Sequence, residues 1–387
     1  MAKKIRVWDG TAWQDVAPSL PYTAIHSAQA SMPLTGVDGQ VWLDTDGTLA
    51  GQDFVPLSGG TMTGNLNVPS INSGGISGQN HVINGGFDIW QRGTSFTNPG
   101  ASYTADRWIT YFPYNGTLTQ ETSVVPTGFR YAAKVTASTT DTGGRDLYQL
   151  IETANTIPLA GKTVTVSAWV TSTAGKRQTI ALTSSTTVDD SLYNVGTNVG
   201  AADNVTAIAG TFQQVKFTAT IPSNAKTLRI GLQANDSYSS GNYIIWGGVQ
   251  LEVGSQATPF SRAGGTIAGE LSACQRYYYR IYNPNGGQYN AFALTGVNSS
   301  TTTAGVQINF PVKMRIKPSA LEYANVGWYV YRTGGNFQGG TWSLNTSAHE
   351  SAYILYTTSG LVVNDAGIMN QNVAGVDTSY IAFSAEL

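Results

Sequence analysis

The chain has one cysteine, Cys274, three histidines, and charged side chains at only 11% of its 387 positions. A single thiol excludes an internal disulfide framework and zinc sites built on paired cysteines. His26, His81 and His349 stand far apart. They offer no metal spacing and few bases for a hydroxyl nucleophile. No Gly-x-Ser-x-Gly elbow occurs, and the net charge of −2 comes without a basic run. Binding nucleic acid by neutralising phosphates is therefore not expected. No apolar run approaches the length of a membrane span, and the opening Met1–Gly10 has basic residues with no apolar stretch behind them. Neither a transmembrane helix nor a signal peptide is predicted, and synthesis in a cytoplasm is expected.

Apolar residues make up 41% of the chain, and Gly, Thr and Tyr are abundant. Low charge with that composition points to a folded, all-β protein. Residues 1–55 read as a small unit of Trp-bearing hairpins around Asp9-Gly10 and Asp46-Gly47, with Trp8, Trp13 and Trp42 as its attachment residues. Asp-Gly suits the positive φ of a tight turn. Residues 56–80 are Gly-rich and uncharged, and read as a shaft or collar. The octet Gly59–Leu66 is matched at five of eight positions by Gly264–Leu271. Two similar collars where chains meet on an axis would use Leu57, Met62, Leu66, Ile267, Leu271, Cys274 and Tyr278 as trimer contacts. Leu271, Cys274 and Tyr278 fall on one stripe if residues 267–280 form a short helix.

Between the collars, residues 81–263 alternate with period two. Val164, Val166, Ala168 and Val170 face one way, as do Leu228, Ile230 and Leu232. Such runs, separated by Gly, Asn, Ser and Asp turns, predict an antiparallel sandwich. The patterning returns in 281–387 around Val306, Ile308, Tyr329, Ile354 and Ile381, which predicts a second, smaller β-sandwich.

Several motifs fail on their own chemistry. Gly161-Lys162-Thr163 lacks the Gly five residues earlier that a phosphate loop needs, and a strand follows it. Asp44-Thr45-Asp46-Gly47 would need Glu, not Val55, at the twelfth position of a calcium loop. Asp189-Asp190 is a carboxylate pair, but adjacent strand residues point to opposite faces, so a solvated loop is the simpler reading. Carboxylates converging from distant positions stay open at this point.

The aromatics carry what chemistry remains, because flat rings with polar neighbours hold sugar faces. Trp90 and Trp108 read as core. Trp169 is out of phase with its strand's apolar residues, so it faces either a second core layer or a ligand groove. Loop positions Tyr111, Phe112, Tyr114, Tyr193 and Tyr238 are candidate carbohydrate contacts. In the distal part Trp328, Tyr331, Phe337 and Trp342 lie among Gly, Asn and Gln. Gly334–Trp342 reads as an exposed loop with two ring anchors.

Ile83–Thr94 (INGGFDIWQRGT), Tyr103–Trp108 (YTADRW), Trp246–Gly254 (WGGVQLEVG) and Leu271–Tyr278 (LSACQRYY) together resemble a module common in bacteriophage tail fibre and receptor-binding proteins. Phe310–Arg315 and Ala382–Leu387 resemble the distal part of the same proteins, and Leu57–Gly64 the shaft element. The resemblance implies a jelly-roll sandwich similar to carbohydrate-binding modules, in a trimeric virion fibre that binds host surface glycan without catalysis. It implies a tail or baseplate position, with residues 1–55 docking to another virion protein, and no organic cofactor. A head fibre or capsid decoration protein and a polysaccharide depolymerase are the alternative readings. Such modules often hold a structural calcium near the Asn-Gly-Gly-Phe turn, which makes Asp88 the candidate ligand. Gly247 and Gly248 stand where further acidic residues are usual. Asp106 and Arg107 are expected to pair and pin a loop.

Overall fold

The computed structural model describes residues 80–112, 115–140, 144–173, 175–191, 196–282, 294–330, 335–371 and 379–387, with Thr11 and four short strands near the start. The chain divides into two compact units, 1–72 and 73–387.

The first unit contains a four-stranded sheet in the order Trp13–Asp15, Ile5–Trp8, Val41–Asp44, Ser27–Gln29. Trp8 stands opposite Trp13 across the antiparallel pair. Trp42 stands opposite Arg6. Leu57, Met62 and Leu66 lie outside the described residues.

Over its described residues the second unit is all-β apart from short helical segments, as the period-two patterning predicts. Its larger part is a sandwich of two six-stranded sheets. One runs in the order Thr197–Thr206, Arg177–Ser185, Thr227–Ala234, Arg145–Ile151, Ile109–Tyr111, Ala101–Tyr103. The other runs Gln213–Thr220, Thr163–Ser172, Tyr243–Val253, Ala132–Ala137, Gly116–Glu121, Ser95–Thr97. Alternation places Leu147, Ile180, Leu228, Ile230 and Leu232 of the first sheet in one core with Val164, Val166, Val170, Val249 and Leu251 of the second. Trp90 and Trp108 belong to that core.

The second octet forms a capped helix, Ile267–Gln275. The Thr266 side chain accepts from the Gly269 N–H, satisfying one of the donors a helix start leaves open. The helix ends before Tyr278, which begins the strand Tyr278–Tyr282, so the expected stripe of three is broken. Cys274 and Tyr278 are both buried within the chain. They are filled positions of its own interior and offer nothing to a symmetry mate. Ile267 is 50% exposed and Leu271 half-buried.

The distal part packs a seven-stranded sheet on a three-stranded one. The larger runs Gly335–Phe337, Val326–Val330, Ala366–Gln371, Thr295–Asn298, Thr303–Asn309, Ser351–Thr357, Thr341–Ser347. The smaller runs Tyr278–Tyr282, Tyr380–Ser384, Leu321–Ala324, so the expected boundary at 280/281 falls inside a strand. Trp328, Trp342, Tyr356, Met369 and Phe383 fill the space between the two sheets.

Candidate functional site

The outer face of the first sandwich sheet is set by the same alternation that fills the core. With Leu147, Leu228, Ile230 and Leu232 turned inward, Asp146, Tyr148, Arg229, Gly231 and Gln233 turn outward. Register aligns them in rows. Tyr111, Asp146, Gln233 and Thr179 form one row across neighbouring strands. Ile109, Tyr148, Gly231 and Ala181 form the next, and Leu150, Arg229 and Thr183 the third. Gly231 and Ala181 make a low floor beside the Tyr148 ring. A Cβ added at Gly231 would be in contact with Arg229 Nη2 at 3.7 Å and Gln233 Cγ at 3.9 Å, so those two side chains lean over the floor.

The polar groups are placed by one another. The Arg229 guanidinium lies 4.6 Å over the centre of the Tyr148 ring. Gln233 Nε2 donates to Asp146 Oδ2 at 3.3 Å. Thr179 Oγ1 donates to Asp203 Oδ1 at 2.5 Å and accepts from Asn235 Nδ2 at 2.6 Å. Burial raises the Tyr148 phenol above its ordinary value, so it stays a neutral hydroxyl. At one end of the face a shallow pocket is lined by Leu150, Thr183, Ser185, Asp190, Thr227 and Arg229. Asp190 accepts from the Ser185 hydroxyl, and its N–H donates to Thr227 Oγ1 at 3.0 Å. Tyr148 itself is 4% exposed, packed with Ile109 and Leu150. The half-buried groups left on the face, the Tyr111 ring, the Asp146 carboxylate, the Gln233 amide and the Arg229 guanidinium, suit a polyhydroxylated ligand.

The sequence-predicted contacts are distributed unevenly. Tyr111 lies on this face and is half-buried. Trp169 is on the outer face of the opposite sheet, half-buried. Its ring sits beside Phe129 above Gly248, where a Cβ would meet Phe129 Cζ at 2.4 Å and Trp169 Cδ1 at 3.0 Å. Tyr114, Tyr193 and Tyr331 lie outside the described residues.

Four expected contacts are interior instead. Phe112 and Tyr238 belong to the sandwich core, 7% and 2% exposed. Trp328 is fully buried, and its Nε1 donates to Asn298 Oδ1 at 2.9 Å. Trp342 is 4% exposed, with Nε1 donating to Val326 O at 3.0 Å. Phe337 is half-buried against the same core. Over its described residues the expected exposed loop is the end of one strand and the start of another, at opposite edges of the sheet, joined by a bend at Gly339. Its glycines make room for rings: a Cβ at Gly340 would lie 2.3 Å from Tyr356 Cζ. Gly367 likewise lies against Trp328, where a Cβ would be 2.6 Å from the indole. These buried rings have no open face for a sugar.

The motif residues form a buried polar network between the sandwich and the distal sheets. Asp106 and Arg107 do not pair with each other. Asp106 accepts from the Gln91 N–H at 2.8 Å and from Gln91 Nε2. Burial pushes its carboxyl up to about 6. Arg107, at φ +70°, turns the other way. It donates to Leu150 O at 2.7 Å and to the Glu386 carboxylate, and lies 3.6 Å over the Tyr277 ring. Arg92 also reaches Glu386, at 3.4 Å, and stacks 3.5 Å over Tyr278. Asp189 and Asp190 diverge: Asp189 pairs with Arg315 at 3.0 Å, and Asp190 is buried, so neither is a plain solvated-loop residue.

Asp146, Tyr148, Arg229 and Gln233 were not among the sequence-predicted contacts. Their signal was the alternation itself, since every inward Leu or Ile of a strand names an outward neighbour.

No protein-family model matches the chain, and no curated protein matches it. Solved structures do. One, described as "CBM4 structure and function", is 18% identical, with TM-score 0.30, over 45% of this chain and 100% of that one. The enzymatically active domain of bacteriophage CBA120 tailspike protein 4 is 13% identical, with TM-score 0.30, over 45% of this chain and 21% of that one. TmCBM61 in complex with β-1,4-galactotriose is 13% identical, with TM-score 0.28, over 46% of this chain and 99% of that one.

Proposed function

We propose that the chain is a non-catalytic glycan-binding protein whose binding surface is the outer face of the first sandwich sheet. The observation that carries this reading is the row structure of that face. Tyr148 lies under Arg229, Asp146 and Gln233 lie alongside, and Gly231 and Ala181 leave the floor low. A pyranose laid on this face meets the half-buried Tyr111 ring and the fixed groups of Asp146, Gln233 and Arg229, with Tyr148 beneath as support. Asp189, the carboxylate beside the pocket's Asp190, is held by Arg315, which supports binding over hydrolysis.

The fibre-type motifs support a place in a virion fibre at a tail or baseplate, attached through residues 1–55 and assembled as a homotrimer. Multiple copies would turn weak single contacts into useful avidity. Binding is tested on a glycan array with the full chain and its Arg229→Ala and Gln233→Ala variants. Loss of binding at unchanged thermal midpoint supports the reading, and unchanged binding removes it. Assembly is tested by light scattering, where a monomer would exclude the trimer.

A further inference from the structure

The Asn84–Asp88 turn brings two buried carboxylates together. The Asp88 side chain is 4% exposed and Glu270 is 1% exposed. Glu270 accepts from the Asn84 N–H and, at 2.7 Å, from the Gly264 N–H. Asp88 is gripped by Arg262, with Nε at 2.8 Å from one carboxylate oxygen and Nη2 at 3.3 Å from the other. Gly86 keeps the carboxylate seated, since a Cβ there would stand 2.8 Å from Asp88 Oδ2. Burial raises the Glu270 carboxyl above its ordinary range; Asp88 adds to that rise and Arg262 opposes it. The two acids and the guanidinium therefore share one local field.

Calcium takes six to eight oxygens at about 2.3–2.6 Å. Here the carboxylate oxygens already accept from the chain. The turn's carbonyls are engaged as well: Asn84 O accepts from the Phe87 N–H and Trp108 Nε1, and Gly85 O from the Val249 N–H. Gly247 and Gly248 bring no carboxylate. Among the described residues no group of three His, Cys, Asp or Glu is placed to hold a metal. The residues do not fit the ion that the family resemblance implies at this turn.

We propose that Arg262 is the resident cation of the Asn84–Asp88 turn, its guanidinium balancing the buried carboxylates so that the sandwich is stable without divalent ions. A bidentate guanidinium–carboxylate pair supplies charge and geometry together. Thermal melts of the full chain in EDTA and in calcium chloride test this. The wild type keeps one midpoint in both. Arg262→Ala lowers the midpoint by several degrees, because Asp88 is left buried and unpaired. Calcium does not recover that loss, because the turn's carbonyls and the Glu270 oxygens stay engaged. Arg262→Lys, which keeps charge but loses the second contact, falls between and ignores calcium. A wild-type midpoint that drops in EDTA and returns with calcium overturns the proposal, whether or not the variants fold. So does an Arg262→Ala protein as stable as the wild type.

Discussion

Glu386→Ala should be among the most damaging single substitutions at a polar position. Its carboxylate, 4% exposed, faces Arg107, whose side chain is 1% exposed, and Arg92, at 11%. Removing it leaves one guanidinium with no water to turn to. Breaking a buried pair from one side costs about 3–5 kcal/mol. Arg107 keeps its bond to Leu150 O and its stack on Tyr277, which argues for the lower half of that range. At an unfolding entropy of about 2.1 cal/mol/K per residue, a unit spanning 73–387 shifts by roughly 1.5 °C per kcal/mol, so the midpoint should fall by about 4–6 °C. Calorimetry on the full chain reads the shift directly. Salt supplies a control, since exposed pairs are screened and buried ones much less. The Arg177–Asp236 pair, at 53% and 20% exposed, should matter little in 1 M salt, whereas the Glu386→Ala loss should persist there. Replacing Arg107 by Met together with Glu386 by Leu should cost less than Glu386→Ala alone, because the more deeply buried guanidinium leaves with its partner and only Arg92, at 11% exposed, loses an ion pair. A Glu386→Ala protein within about 0.5 kcal/mol of the wild type, the ordinary range for surface changes, would refute the view of this network as a buried lock.

Three further outcomes are expected. The Asp106 carboxyl sits at about 6 when folded, because burial disfavours its charge. Its contribution is therefore full below the unfolded value near 3.8 and lost as pH rises through 6, so wild-type stability measured against Asp106→Asn should fall by up to about 3 kcal/mol between pH 4 and 7. Gly340→Ala should cost about 1–3 kcal/mol by denaturant titration, since its Cβ would be forced against the Tyr356 ring. Trp328→Ala should cost about 3–5 kcal/mol, whereas Trp169→Ala, on the half-buried outer face, should cost clearly less.

Much of the fold was legible because alternation is a local signal. The strand Thr163–Ser172 of one sheet and Thr227–Ala234 of the other followed from where Val and Leu recur, and Trp169 lies on the outer face because it is out of step. Tyr278 was misplaced because neither Gly nor Pro marks the end of the helix at Gln275. The distal aromatics misled for a different reason. A glycine that admits a ring and a glycine in a loose loop look alike in sequence, and Gly340 and Gly367 are of the first kind. The polar network was hidden by distance along the chain, since Arg107 meets Glu386 and Asn84 meets Glu270 only after folding. Asp106 and Arg107 looked like a pair because they are adjacent. The positive φ of Arg107 sends them to separate partners. The proposed binding face was half legible: Tyr111 was expected, while Tyr148, Arg229 and Gln233 emerged only once register set them side by side.

The central claim is that the outer face of the first sandwich sheet holds glycan, and glycan-array binding by the wild type, Arg229→Ala and Trp342→Ala tests it most directly. The account predicts that the wild type and any folded Trp342→Ala protein bind the same glycans, while Arg229→Ala does not. Binding that survives Arg229→Ala but is lost in a folded Trp342→Ala protein would contradict it and move recognition to the distal sheets.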